Sequence, residues 1–305
     1  MQKKYVRGYC TSLKKEQVVD FHRRFNQHSI LIAISYVAIY YLSIYFLCYV
    51  FSLVSYQSFV FYVLALVFPL LIARQLRALE NLVHFGSHYS FTHKKKLNDR
   101  LVNFLCAFPV MQEVGLYRDF HLKHHRSYGS EIDPCKNRFE QMNKINDSSP
   151  LLYIISIAKS LPSYFVGYYK ELGSNYKVIV TYLGYSTLLF VINSTLINLY
   201  FALVFLALYN ISLFIVLPVI RSIAEYDEHD YNASDNLIDT TFNNLTILDY
   251  LLFHPAGDTH HVVHHLFPAI PWWKQKEAHL FLLHNDISYK DFANNRTRVK
   301  YKLQA

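Results

Sequence analysis

The charged residues of this chain leave two long blanks. Ser29 to Ala73 runs 45 residues without Asp, Glu, Lys, Arg or His, and Val178 to Ile220 runs another 43. One helical membrane crossing takes about 20 apolar residues, so each blank predicts two crossings joined by a short turn. The most polar points near the two centres, Ser55-Tyr56-Gln57-Ser58 and Asn193-Ser194-Thr195, are the expected turns. A core helix of a water-soluble protein would be shorter and polar along one face. Two further apolar runs, Leu101 to Gly115 and Leu151 to Tyr169, are interrupted by proline or charge. They predict helices lying in the membrane interface.

Composition agrees with a membrane protein. Hydrophobic residues make up 52% and charged residues 17%, against about 25% charged in a soluble domain. The net charge of +8 could point to nucleic acid, but the positions of the charges point elsewhere. Of the 30 Lys and Arg, seven precede the first blank, 14 lie between the blanks and eight follow the second. Lys177 abuts the third crossing, and neither turn carries any. Four crossings place all three basic segments on one side, which the positive-inside rule makes the cytosol.

The sequence therefore predicts an all-α polytopic membrane protein, with four transmembrane helices in two hairpins and a cytosolic, histidine-rich helical cap. The expected organisation is a single membrane-embedded domain over 1–305. It divides into a cytosolic segment 1–28, hairpin 29–73, loop 74–177, hairpin 178–220 and tail 221–305, with both termini cytosolic. No nucleic-acid role is expected. The first 28 residues lack an apolar core, so no cleavable signal peptide is expected. Cys10, Cys48, Cys106 and Cys135 form no CxxC pair, which fits reduced thiols on a cytosolic face. A bacterial inner membrane and the endoplasmic reticulum fit equally well.

The histidines carry the chemistry. None of the 16 lies inside the expected crossings, and eight form three clusters on the cytosolic side. His84 and His88 in HFGSH are spaced i,i+4, while His121, His124 and His125 in HLKHH are spaced i,i+3,i+4. His261, His264 and His265 in HVVHH repeat the second pattern. On a helix, residues three and four apart share a face, so each cluster can aim its imidazoles at one point. One such cluster alone could be ordinary surface histidine. Neutral imidazole suits iron, zinc and copper. Eight ligands exceed the three or four of a mononuclear zinc site, so two metals are the natural count.

The order HxxxH, HxxHH, HxxHH around two membrane hairpins resembles the membrane-bound fatty acid desaturase and hydroxylase family. The resemblance runs from about residue 30 to residue 284 and includes Asp133-Pro134 after the second box and Leu266-Phe267-Pro268 after the third. The segment from Arg221 to His229 resembles the family's additional histidine motif after the last crossing, and only this resemblance makes His229 a ninth ligand. The family implies a non-haem di-iron centre, two Fe ions held mainly by histidine. Such a centre reduces O₂ and removes hydrogen from an unactivated CH₂ of a lipid chain, chemistry beyond side-chain acids and bases. The implied partners are a lipid or fatty acyl substrate, O₂, the bilayer, and an external electron donor of ferredoxin or cytochrome b5 type.

The chain also departs from the family pattern. Phe85 follows the first box histidine where many relatives carry an acid, and Val263 stands where many carry Glu. Carboxylate support for the ligands must then come from elsewhere, with Asp133, Glu225, Glu228 and Asp258 as candidates. His93 beside three lysines reads as solvated, His260 as out of phase with its box, and His279 and His284 as parts of an amphipathic segment. His254-Pro-Ala-Gly resembles a haem motif of cytochrome b5, but no soluble domain surrounds it, so the donor is read as a separate protein. The leading expectation is desaturation of a fatty acyl chain. The alternative is a hydroxylase or ketolase of a lipid or terpenoid on the same scaffold. A haem-bearing carrier or metal transporter is the third class, and it would favour His or charge within the spans.

Overall fold

A computed structural model describes residues 10–127, 132–135, 149–229 and 241–294. The chain ends assigned above to the N-terminal segment and the tail, 1–9 and 295–305, lie outside the described residues, as do 128–131, 136–148 and 230–240 within the loop and the tail. The described residues are helical, with no strand among them and one isolated antiparallel bridge between His229 and Thr241. After α1 (Lys15–Phe25) come α2 (Ile30–Ser52) and α3 (Phe59–Ser87). Next are α4 (Lys95–Val102), α5 (Val114–Ser127), α6 (Pro150–Gly173) and α7 (Tyr176–Leu196). Then follow α8 (Leu199–Ile211), α9 (Leu217–Glu228), α10 (His261–Leu266), α11 (Gln275–Asn285) and α12 (Ile287–Asn294).

Four helices are long and apolar enough to cross a membrane: α2, α3, α7, and the run Leu199–Glu228 in which a π turn (Ser212–Val216) joins α8 to α9. Each begins at a polar cap that accepts a hydrogen bond from the first turn. Ser29 accepts from Ile32 N, Ser58 from Val60 N, Asn175 from Lys177 N and Asn198 from Phe201 N. Such caps satisfy N–H groups that helix geometry leaves unpaired. Away from the packed seam the spans expose Leu31 (77%), Leu66 (81%) and Leu196 (79%), while Ala33, Ile44, Ile72 and Leu213 are fully buried. That is the pattern of helices solvated by lipid.

The first turn lies where expected, between Ser52 and Phe59. The second does not lie at Asn193-Ser194-Thr195. α7 continues to Leu196, and Asn193 is buried in its last turn, its carbonyl accepting from Ile197 N and Asn198 N. Asn198, whose Oδ1 accepts from Phe201 N, starts the next span instead. The expected interfacial segments are both helical. Leu101–Gly115 is a broken run from α4 through a π turn and a 3-10 turn into α5, while Leu151–Tyr169 lies within α6 and is not among the four apolar spans. α6 packs on α9 through Tyr153 against Tyr226.

The cap grows directly out of the spans. α3 does not stop at Arg74 but runs on through the first histidine box, and α9 ends one residue before His229. Gly86, between the box histidines, lets α4 approach: a Cβ there would stand 2.6 Å from Val102 Cγ2. A second apolar core joins Phe21 and Phe25 of α1 to Val262 and Val263 of α10, Leu282 of α11 and Tyr289 of α12. Val263 and Phe85, the two departures from the family pattern, are thus packing residues with no exposed surface.

Candidate metal centre

Local chemistry sets the helices that carry the boxes. Glu113 caps α5 by accepting from Gly115 N (2.9 Å) and Leu116 N (2.8 Å). Arg118 then ties α5 to the end of α3, donating from Nε to Ser87 O (2.7 Å) and lying over the Tyr89 ring. α10 is entered through Gly257, whose φ of +78° favours glycine and where a Cβ would meet Trp272 O at 2.4 Å. Asn243 Oδ1 accepts from Val262 N at 3.1 Å and fixes the first turn of α10.

These elements bring all nine candidate histidines into one cluster. His84, His88, His121, His125 and His264 place ligand atoms within 4.8 Å of one another, as do His124, His229 and His265. His261 joins the second set, with its Nε2 3.0 Å from that of His265 and 3.3 Å from that of His229. The boxes interlock. The second box sends its i and i+4 members to the five-imidazole set and its i+3 member to the four, and the third box does the reverse.

The spacing tests whether a metal fits. Two imidazole nitrogens bound to one ion at bonds near 2.1 Å stand about 3.0–3.4 Å apart. His121 and His125 hold their Nε2 atoms 2.9 Å apart, close to that range. The Nε2 atoms of His84 and His88 are buried without a hydrogen-bond partner, as are both ring nitrogens of His264. Burial, reinforced by neighbouring imidazoles, holds His121, His125, His229, His264 and His265 well below the usual histidine range. Burial and Arg118 lower His88 to about 4. A ligand must be neutral, so these residues fit a metal.

The outer ring nitrogens are held by a second layer. His124 Nδ1 lies 3.1 Å from Asp133 Oδ1 and His229 Nδ1 lies 3.2 Å from Thr241 Oγ1. Asp258 stands 3.4 Å from His261 Nδ1 and 3.8 Å from His84 Nδ1, so one carboxylate touches both sets. Burial alone would raise Asp258, but hydrogen bonds from His254 and His261 hold it well below the carboxylate range. Such partners fix ring orientation and tautomer, leaving Nε2 for the ion. His124 behaves differently. Burial would lower it, yet Cys135 and Asp133 beside it push it up to about 10.

Of the four candidate carboxylates, Asp133 and Asp258 meet ligands in this way. Glu225 pairs with Arg221 at 2.7 Å, while Glu228 pairs with Arg77 at 3.0 Å and also stands within 4.8 Å of ring nitrogens of His229 and His261. His254, read from sequence as coincidence, is buried with Nδ1 3.0 Å from Asp258 Oδ2 and supports that carboxylate from behind. His260 contacts Thr259 and Tyr250, and His279 is buried against the Tyr289 hydroxyl. His93 is exposed and meets His28 edge-on, with its Nε2 2.8 Å from His28 Nδ1, and His284 is exposed. Sequence reasoning missed Arg77, Glu80 and Gln112. The signal was present, since Arg77 and Glu80 interrupt an otherwise apolar helix at i,i+3.

Fold and cluster together define an integral membrane protein with a polyhistidine cap whose side chains could hold metal. Residues 57–291 match the family described as Fatty acid desaturase, and the chain belongs to that family. Comparison with curated proteins gives no match.

Proposed function

We propose that the nine imidazoles hold two iron ions and that the protein carries out O₂-dependent desaturation of a fatty acyl chain. His84, His88, His121, His125 and His264 would hold one ion, and His124, His229, His261 and His265 the other. The observation that carries this reading is the sorting of nine buried or half-buried imidazoles into two adjacent sets. Iron bound there would supply O₂ activation and removal of hydrogen from an unactivated CH₂. The chain's own part is to turn Nε2 of His124, His229 and His261 inward through Asp133, Thr241 and Asp258, and to keep the remaining rings neutral by burial. Desaturation consumes one O₂, two electrons and two protons, and releases two waters with the alkene. Insertion of oxygen has the same inputs and releases one water.

The electrons come from a separate donor of ferredoxin or cytochrome b5 type, with the cap and both termini on the cytosolic face. The test is a comparison of lipid extracts from cells expressing the chain or its His121→Ala form. A product lighter by about two mass units supports desaturation, and one heavier by about sixteen assigns the hydroxylase alternative. Purified protein is expected to contain about two irons and no haem absorbance. A reproducible single zinc would overturn the reading.

A further inference from the structure

The cavity that meets the centre has a wall of mixed polar and apolar character. It has a volume of about 60 Å³ and touches imidazoles of both sets, among them His84, His121, His124 and His229. Its charged side is formed by Arg77, Glu80, Arg221, Glu225 and Glu228 with Gln112, and Tyr117 and Phe120 also line it. Arg77 lies 3.4 Å from Glu80, and Arg221 lies 3.7 Å from the same carboxylate. Gln112 Nε2 donates to Glu80 Oε1 at 3.3 Å, leaving Gln112 Oε1 buried without a partner.

The charged pairs occupy equivalent places on the two helices that leave the membrane. Arg77 and Glu80 stand seven and four residues before His84, and Arg221 and Glu225 stand eight and four before His229. At 1.5 Å per residue, the arginines lie roughly 10–12 Å on the membrane side of those imidazoles. They also lie roughly 27 Å and 33 Å along the helix from Phe59 and Leu199, near where about 30 Å of hydrocarbon ends. An ionic layer therefore stands between the hydrocarbon and the imidazoles. The middle of an alkyl chain drawn into it would lie against charged groups and return no hydrogen bond. A polar head keeps those groups solvated, and the carbons beside the head are then the ones held at the centre.

Resting on the di-iron reading above, we propose that the substrate is a polar-headed, long-chain amphiphile oxidised within a few bonds of its head group, with Gln112 Oε1 accepting a hydrogen bond from that head. The hydrocarbon tail remains on the bilayer side of the ionic layer. Head groups bearing hydroxyl, amine or amide N–H donors fit the unpaired acceptor.

The test uses the full chain in membranes. Lipids from cells expressing the wild type or His121→Ala are compared by mass spectrometry that locates the new double bond or hydroxyl along the chain. The expected product is modified within a few bonds of a hydroxyl, amine or amide. Gln112→Leu, which cannot accept, is expected to lower that product about tenfold at unchanged iron content and insertion. Gln112→Asn, which keeps both the amide donor toward Glu80 and an acceptor, is expected to retain more of it than Gln112→Leu. A product modified in mid-chain overturns the inference and leaves the oxidation reading standing, as does wild-type yield from Gln112→Leu. No difference between wild type and His121→Ala overturns both.

Discussion

The two imidazole sets are built on different plans. The five-member set draws on all three boxes, and its rings have few outer partners: Asp258 stands 3.8 Å from His84, and neither nitrogen of His264 is hydrogen-bonded. The four-member set has fewer rings, but three are held from behind, His124 by Asp133, His229 by Thr241 and His261 by Asp258. Orientation by numbers and orientation by supporting partners are alternative ways to hold an ion. On the proposed di-iron reading, the difference makes the two sites answer differently to changes outside the ligands. It also shows why this chain tolerates Phe85 and Val263, since Asp258 reaches one ligand of each set from a different turn.

The strongest test is loss of a ligand. His264→Ala or His124→Ala is expected to cut product at least 100-fold per inserted protein, while His93→Ala keeps most of it. Product from His264→Ala alongside a dead His93→Ala would break the assignment. Next come the supporting carboxylates. Asp258→Asn is expected to cost about 10–100-fold in iron affinity, affecting both ions, whereas Asp133→Asn weakens only the four-member site. Metal analysis during dialysis distinguishes the two patterns, and loss of both irons from Asp133→Asn would erase the distinction.

A pH titration sharpens the same contrast. In the iron-free protein Cys135 and Asp133 push His124 up to about 10, so it is expected to carry a proton at pH 8, while burial keeps His121, His125 and His264 neutral. Its raised value stabilises the iron-free fold fully below about 6.5, and that contribution fades as pH rises through about 10. Iron entering the four-member site must expel that proton, so about one proton is released at pH 8. Apparent affinity there rises with pH up to about 10, and affinity at the five-member site stays flat across the same range. Calorimetry in two buffers measures the release, which Asp133→Asn is expected to reduce. The smallest effect belongs to Thr241→Val. Losing one hydrogen bond to His229 Nδ1 is expected to weaken the four-member site a few-fold and leave the other unchanged. Equal loss at both sites would show that the sets are coupled.

What sequence alone determined here is local. A span is legible because about 20 apolar residues in a row have one stable state in a bilayer, and its start is legible because Ser29, Ser58 and Asn175 cap the run that follows them. The box spacings are legible for the same reason, since i,i+3 and i,i+4 fix a shared helix face without reference to the rest of the chain. Local polarity misled once, at Asn193, because a buried Asn in a helix and an Asn in a turn look alike until the neighbouring helix is known. Spacing could not sort nine imidazoles into five and four, because His121 and His124 share a helix face yet serve different sets. Nor could it single out Asp258 from Glu225 and Glu228, or place Arg77 opposite Glu228 across 151 positions. These outcomes depend on where α3, α5, α9 and α10 sit relative to one another. Contacts between helices distant in sequence decide that placement, and only the packed tertiary structure contains them.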